Sequence, residues 1–128
     1  MSVEWALPAE RCRDELRAAR SLLDAGLPAQ AVSRTWFAVF HAAGAALAVV
    51  DERPSSPTEV VSAFARTVSG NGLAPETGRT LRKLFEDHKD VDYALAGPAA
   101  GDGERALADA QRFVDETTRW IEARFEAD

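Results

Sequence analysis

The sequence predicts an all-α protein in which four to five helices form an up-and-down antiparallel bundle. Apolar residues recur every three or four positions in five segments, and no segment shows the alternation typical of a β-strand. Short connections between long helices favour antiparallel neighbours. The 128 residues fit one domain, and neither an internal repeat nor a long linker divides them.

The first two helices are predicted from their end signals. The first runs from about Pro8 to Ala25, with Gly26 just past its end. The second begins at Pro28, because proline fits a first helical turn, and runs to about Val50. Its apolar run, 15 residues long over 36–50, is shorter than the ~20 needed to cross a bilayer. We therefore expect the central helix of a soluble core and no membrane span.

Three further helices are predicted over about residues 57–68, 75–95 and 103–125, with a loop over 97–103. The third has the clearest start, because Ser56 can cap it, Pro57 suits the first turn and Glu59 completes a capping box. The turn 69–72 then ends it. The fifth helix carries an apolar stripe along its inner face.

Charge and cysteine content narrow the class of protein. The net charge is −6, from 21 acidic and 15 basic residues, which argues against a domain that mainly coats a nucleic-acid backbone. A local basic site remains compatible with this charge. The single cysteine, Cys12, cannot form an internal disulfide, and no secretion signal is evident, so we expect a cytoplasmic protein. Cys12 itself is expected to be a small core residue.

Polar residues interrupt the apolar stripe of the fourth helix. His88 and Asp92 are four residues apart, so they share one helical face, and Tyr93 follows them. Lys89 lies to one side. A histidine and an aspartate suit general acid–base chemistry near neutral pH, and tyrosine can contact a phosphate or a 2′-hydroxyl. The alternative is a satisfied pair at the edge of the core.

The second helix carries Arg34 and His41, which are seven residues apart and share a face. Arg34 can bind a phosphate or bridge to an acid on the first helix, such as Glu15. His41 can line a cleft or be a core histidine. Two histidines on separate helices are too few to indicate zinc, and no phosphate loop is present, so we expect neither a metal nor a cofactor.

Four segments, over residues 33–43, 60–64, 84–93 and 108–121, together resemble the HEPN-domain proteins of bacteria and archaea. The segment 33–43, Ser-Arg-Thr-Trp-Phe-Ala-Val-Phe-His-Ala-Ala, is similar to the second-helix signature of that family. The segments 60–64, 84–93 and 108–121 resemble its third, fourth and closing helices. The resemblance extends over about residues 9–123, and the second-helix segment is its most specific part.

This resemblance implies a compact antiparallel bundle that often pairs as a homodimer, with a cleft between the two fourth helices. Many members are metal-independent ribonucleases with an Arg-x(4–6)-His motif. Many act as toxins beside a small nucleotidyltransferase antitoxin, and others bind RNA or nucleotides without cleavage. In this chain His88 stands at the position of the motif arginine and Asp92 at that of the motif histidine, while Tyr93 is kept.

The leading hypothesis is an RNA- or nucleotide-binding protein of a toxin–antitoxin or defence system, with metal-independent ribonuclease chemistry at an altered His–Asp motif. Its catalytic candidates are His88, Asp92 and Tyr93, and its binding candidates are Arg34, His41 and Lys89. The alternative is a non-catalytic module that dimerises or docks on a partner such as a nucleotidyltransferase. A third hypothesis is a bundle that binds a small apolar ligand in its core.

Overall fold

Five α-helices and no β-strand make up the part of the chain that the structure describes. The computed structural model describes residues 6–93 and 100–127, with side chains over 10–89 and 101–124. The helices are α1 (Ala6–Asp24), α2 (Pro28–Val49), α3 (Pro57–Thr67), α4 (Pro75–Tyr93) and α5 (Ala100–Ala127). The all-α fold class is confirmed. The predicted end of the fourth helix at Leu95 lies outside the described residues.

A glycine turn reverses the chain between α1 and α2. Gly26 adopts a φ of 77°, and its N–H donates to the carbonyl of Leu23 over 3.0 Å. The N–H of Leu27 donates to the carbonyl of Leu22 over 2.9 Å, which completes a Schellman motif. Pro28 then occupies the first turn of α2, as predicted. The two helices consequently run antiparallel, with the Cys12 thiol donating to the Ala38 carbonyl over 3.2 Å.

The predicted bounds and central position of α2 are correct, and the helix includes the 15-residue apolar run that His41 and Gly44 interrupt. Its 22 residues are long and apolar enough to cross a membrane by length and composition alone. Inside the bundle, 56% of the apolar window is buried. Trp36 and Leu47, at 3% and 0% exposed, anchor the two halves of this helix in the core.

The cap of α3 differs in one bond from the predicted capping box. The Ser56 hydroxyl accepts a hydrogen bond from the Glu59 N–H over 3.2 Å, as expected. The Glu59 carboxylate, however, binds the backbone N–H of Ser55 over 3.1 Å and the Ser55 hydroxyl over 3.2 Å. Ser55 offers the carboxylate two donors at once, so the returning bond lies one residue earlier than predicted.

The predicted loop over 97–103 is wrong in its last residues, because α5 begins at Ala100. Gly103 was interpreted as the end of a loop. At Gly103 a Cβ would lie 2.5 Å from Leu23 Cδ2 and 3.5 Å from Pro28 Cβ. The missing side chain lets the first turn of α5 approach the α1–α2 turn closely. Gly103 is therefore a packing residue inside a helix.

The contacts between helix ends confirm the up-and-down arrangement. The first turns of α5 lie beside Pro28 at the start of α2, and Trp120 lies near Val49 at its end, so α2 and α5 are parallel. Lys83 on α4 lies 3.8 Å from Asp109 on α5, while the turn before α4 contacts Trp120. Hence α4 is antiparallel to both. One core joins the helices, with Phe64 against Phe113 at a 5.3 Å ring separation.

Candidate functional site

The fourth helix presents His88 at the edge of the core. Leu81 and Leu84, on the same stripe, are 0% and 1% exposed, and His88 follows one turn later as a partly buried residue. Its imidazole stacks on the indole of Trp36, with ring centroids 5.8 Å apart and an interplanar angle of 21°. Phe37 meets the imidazole edge-on at 6.1 Å. Thus α2 holds the ring of His88 from two sides.

These rings belong to a larger group, the aromatic patch, which comprises Trp36, Phe37, Phe40, Phe85 and His88. Trp36 is its buried anchor and lies 5.6 Å from Phe40 and 5.1 Å from Phe85 between centroids. Phe37 is its outer member, with 39% of its surface exposed. A buried indole beside an exposed phenyl and a partly buried imidazole gives a partly apolar surface between α2 and α4.

Lys89 lies at the edge of the aromatic patch. Its ammonium is 4.7 Å from the centroid of Phe85 and 3.3 Å from the carboxylate of Glu86. The contact with the ring is a cation–π interaction, while the ion pair with Glu86 is exposed and therefore weak. Lys89 is consequently a cation that can exchange Glu86 for another anion at little cost.

Asp92 and Tyr93 continue α4 by one turn beyond His88. Their side chains lie outside the described residues. The helical backbone places position 92 on the same face as position 88, as the sequence predicted.

Arg34 is directed toward α1. Its guanidinium lies 3.3 Å from the carboxylate of Glu15, which is the structural alternative considered for this residue. Arg34 is 48% exposed and Glu15 only 18% exposed, so the pair lies at the border of the α1–α2 interface. Of the six candidates, His88 and Lys89 therefore come together at the aromatic patch, while Arg34 faces a neighbouring helix.

His41 lies between these two locations. Its ring is 6.0 Å from that of Phe40, at the rim of the aromatic patch, and it is partly buried. Burial lowers the pKa of His41, the nearby charge of Arg11 lowers it further, and Glu15 opposes this effect. The surroundings of His41 therefore favour the neutral form of its imidazole.

Cys12 has the environment of a core residue. It is 1% exposed, and burial raises the pKa of its thiol to about 12. A thiol that stays protonated is a poor nucleophile, in agreement with the sequence interpretation. Among the described residues, no three histidine, cysteine or acidic side chains cluster as metal ligands would.

Comparison with known families identifies the fold. The model of the HEPN domain matches residues 7–120, which is most of the chain. The chain belongs to the HEPN family. The resemblance noted in the sequence is therefore confirmed, and the five helices described above are those of a HEPN domain.

A relative with a printed description supports a coarse functional class. This HEPN chain is 29% identical over 107 residues to a Methanocaldococcus jannaschii protein whose name reads "putative toxin". The alignment covers 83% of this chain and 80% of the relative. The match thus extends over about four fifths of both proteins and supports a toxin-type family.

Sequence reasoning missed the aromatic surroundings of His88 in this HEPN domain. Trp36 and Phe37 were placed in the apolar run of the second helix and Phe85 on the fourth helix, and these rings were not associated with His88. A signal was present, because Trp36, Phe37 and Phe40 stand together in the second-helix segment that carries the family resemblance. The sequence could not show that these rings would meet His88, because that contact depends on how α4 packs against α2.

Proposed function

We propose that this HEPN protein is a toxin that binds RNA or a nucleotide at the aromatic patch and cleaves RNA without a metal, with His88 as a proton-transfer group. The observation that carries the proposal is the position of His88: an imidazole stacked on a buried indole, beside an exposed phenyl ring. A histidine can transfer protons at a bound RNA, and an exposed aromatic ring beside it can stack on a base.

The proposed chemistry uses the 2′-hydroxyl that distinguishes RNA from DNA. A base removes the proton of the 2′-hydroxyl, the oxygen attacks the adjacent phosphorus, and the P–O5′ bond breaks as an acid protonates the leaving oxygen. The products are a 2′,3′-cyclic phosphate and a 5′-hydroxyl. A histidine can perform either proton transfer, which contributes typically 10²–10⁴-fold to a rate.

Binding in this proposal depends on stacking more than on charge. Phe37 offers its exposed face to a base, an interaction worth ~1–3 kcal/mol per base. Lys89 supplies a local cation, but the chain as a whole carries a net charge of −6. We therefore expect weaker salt dependence than for a basic RNA-binding domain.

A homodimer completes the proposal. Each chain brings one histidine to the aromatic patch, whereas the reaction uses a base and an acid. Two copies that meet across their α4 helices would supply two imidazoles, with Asp92 and Tyr93 on the turn that follows. Sedimentation of the purified protein tests this part directly.

A second candidate is a module that docks on a partner, such as a small nucleotidyltransferase acting as antitoxin. The observation in its favour is the phenyl ring of Phe37, which belongs to the aromatic patch and is 39% exposed. Exposed apolar surface of this kind marks protein interaction sites. In this reading His88 supports Phe37 and takes no part in chemistry.

The deciding experiment measures cleavage of labelled single-stranded RNA and of a tRNA pool in EDTA. The variants are His88→Ala, the double variant His88→Ala/Asp92→Ala and Phe37→Ala. Arg79→Ala is the matched control, because Arg79 is an exposed side chain of the same helix that pairs with Glu76 and contributes no side chain to the aromatic patch.

The expected result is metal-independent cleavage that falls by about 10² or more in His88→Ala and is unchanged in Arg79→Ala. Absence of cleavage by the wild-type protein, or equal cleavage by His88→Ala, would exclude the ribonuclease. Retained RNA binding that Phe37→Ala abolishes would then leave an RNA-binding toxin. If every variant kept the RNA cleavage and RNA binding of the wild-type protein, the docking module would be favoured.

A further inference from the structure

A second candidate site lies at the other end of the bundle, where α2 ends and the last third of α5 begins. It is a groove of about 730 Å³, bordered by Val49, the turn at Asn71–Gly72 and the α5 residues Glu116, Arg119, Trp120 and Arg124. This volume is within the range of small-molecule sites. From Trp36 beneath His88 to Val49 the axis of α2 rises by roughly 20 Å, so the groove is separate from the aromatic patch.

The floor of the groove is rigid. The indole N–H of Trp120 donates to the carbonyl of Asn71 over 2.7 Å, and the residue is only 8% exposed. Gly72 packs so closely against this indole that a Cβ would lie 3.0 Å from its Nε1 atom. The turn and α5 thereby hold Trp120 in one orientation.

Arg124 lies across this floor. Its guanidinium carbon is 4.2 Å from the centroid of the Trp120 ring, a cation–π contact that leaves the edge of the guanidinium plane available for hydrogen bonds. Its Nε atom is buried and has no hydrogen-bond partner among the described residues. Because Nε is covered, the donors that a ligand in the groove can reach are the terminal N–H groups of the guanidinium.

Arg119 adds a second cation to the groove. Both arginines border the groove, and neither forms an ion pair within the part of the chain that the structure describes. On a chain with a net charge of −6, two guanidinium groups directed at one groove indicate a local anion site.

The remaining lining residues narrow the class of anion. The face of Trp120 is covered by Arg124, so a planar base cannot stack there. Glu116 is the acidic residue of the lining, and its carboxylate can accept hydrogen bonds from hydroxyl groups. Val49 offers a small apolar wall. We propose that this groove binds a phosphate monoester of a hydroxylated small molecule, with the phosphate on Arg119 and Arg124 and a hydroxyl on Glu116.

Isothermal titration calorimetry with ribose 5-phosphate tests the proposal, with ribose and inorganic phosphate as separate arms. Ribose 5-phosphate is expected to bind more tightly than inorganic phosphate, and ribose not at all. Arg124→Gln and Arg119→Gln are each expected to weaken binding by about tenfold or more. Arg79→Gln, which changes an exposed arginine of α4, is the control and is expected to bind as the wild type does.

A second readout keeps the test valid if Arg124→Gln folds poorly. The indole N–H resonance of Trp120, identified by its loss in Trp120→Phe, is expected to shift when ribose 5-phosphate is added to the wild-type protein. Absence of binding at millimolar ligand, a shift confined to other indoles, or equal affinity in Arg124→Gln and Arg79→Gln would each overturn the proposal. A single-stranded RNA that binds while ribose 5-phosphate does not would also overturn it.

Because His88→Ala leaves the groove intact, binding of ribose 5-phosphate by that variant separates the two proposals. Each can fail while the other stands.

Discussion

Gly72 offers the sharpest test of the packing at the end of α5. Its φ of 95° is a conformation that an alanine adopts at a cost of about 1–2 kcal/mol. In addition, the new Cβ would lie 3.0 Å from Nε1 and 3.2 Å from Cδ1 of Trp120. The indole must then move away from Asn71, which weakens a hydrogen bond worth about 1 kcal/mol. Gly72→Ala is thus expected to lower the free energy of unfolding by about 2–3 kcal/mol.

Alanine substitutions at two other glycines separate the backbone cost at Gly72 from the packing cost against Trp120. Gly26 has a φ of 77° with nothing within 4 Å of its Cβ position, so Gly26→Ala measures the backbone cost alone. Gly44 lies inside α2 with equally open space, and Gly44→Ala is expected to stabilise the protein by about 0.5–1 kcal/mol. Urea denaturation with unchanged m-values gives all three free energies. A cost for Gly72→Ala no larger than that for Gly26→Ala would refute the close packing against Trp120.

Two further predictions concern titratable groups. Burial lowers the pKa of His41 in the folded state. In the unfolded state the imidazole has its ordinary pKa of about 6.5, so below that pH the unfolded state binds the proton more readily than the folded state does. Stability is therefore expected to fall as the pH drops below about 6.5, and to fall less steeply in His41→Gln, as measured by thermal melts between neutral and mildly acidic pH. The Cys12 thiol, with a pKa raised to about 12, is expected to resist iodoacetamide at pH 8 in the native state and to react at once in guanidinium chloride.

Clear results would contradict each of these two predictions. Identical pH profiles for the wild-type protein and His41→Gln would show that the burial of this imidazole has no energetic consequence. Alkylation of Cys12 in native protein at the rate found in denaturant would show that the α1–α2 interface opens freely around the thiol.

Much of the fold follows from local sequence. Local interactions determine the helix starts at Pro28 and Pro57, the Gly26 turn and the apolar stripes of the helices. Each depends on residues within one or two helical turns, so the sequence alone is enough to predict it. The family resemblance depends on the same segments, above all on residues 33–43. The sequence also singled out His88 as a polar residue on an apolar stripe.

Only the tertiary structure decided what those residues meet. Gly103 was misread as a loop residue because the reason for it, the approach of Leu23 and Pro28, comes from chain 75 or more positions away. Likewise the sequence placed His88 on a face but could not show that Trp36 and Phe37 hold its ring. Helical periodicity reports which side of a helix is buried, whereas the site depends on which helices pack together and at what register. That choice is made by the shape of the whole core.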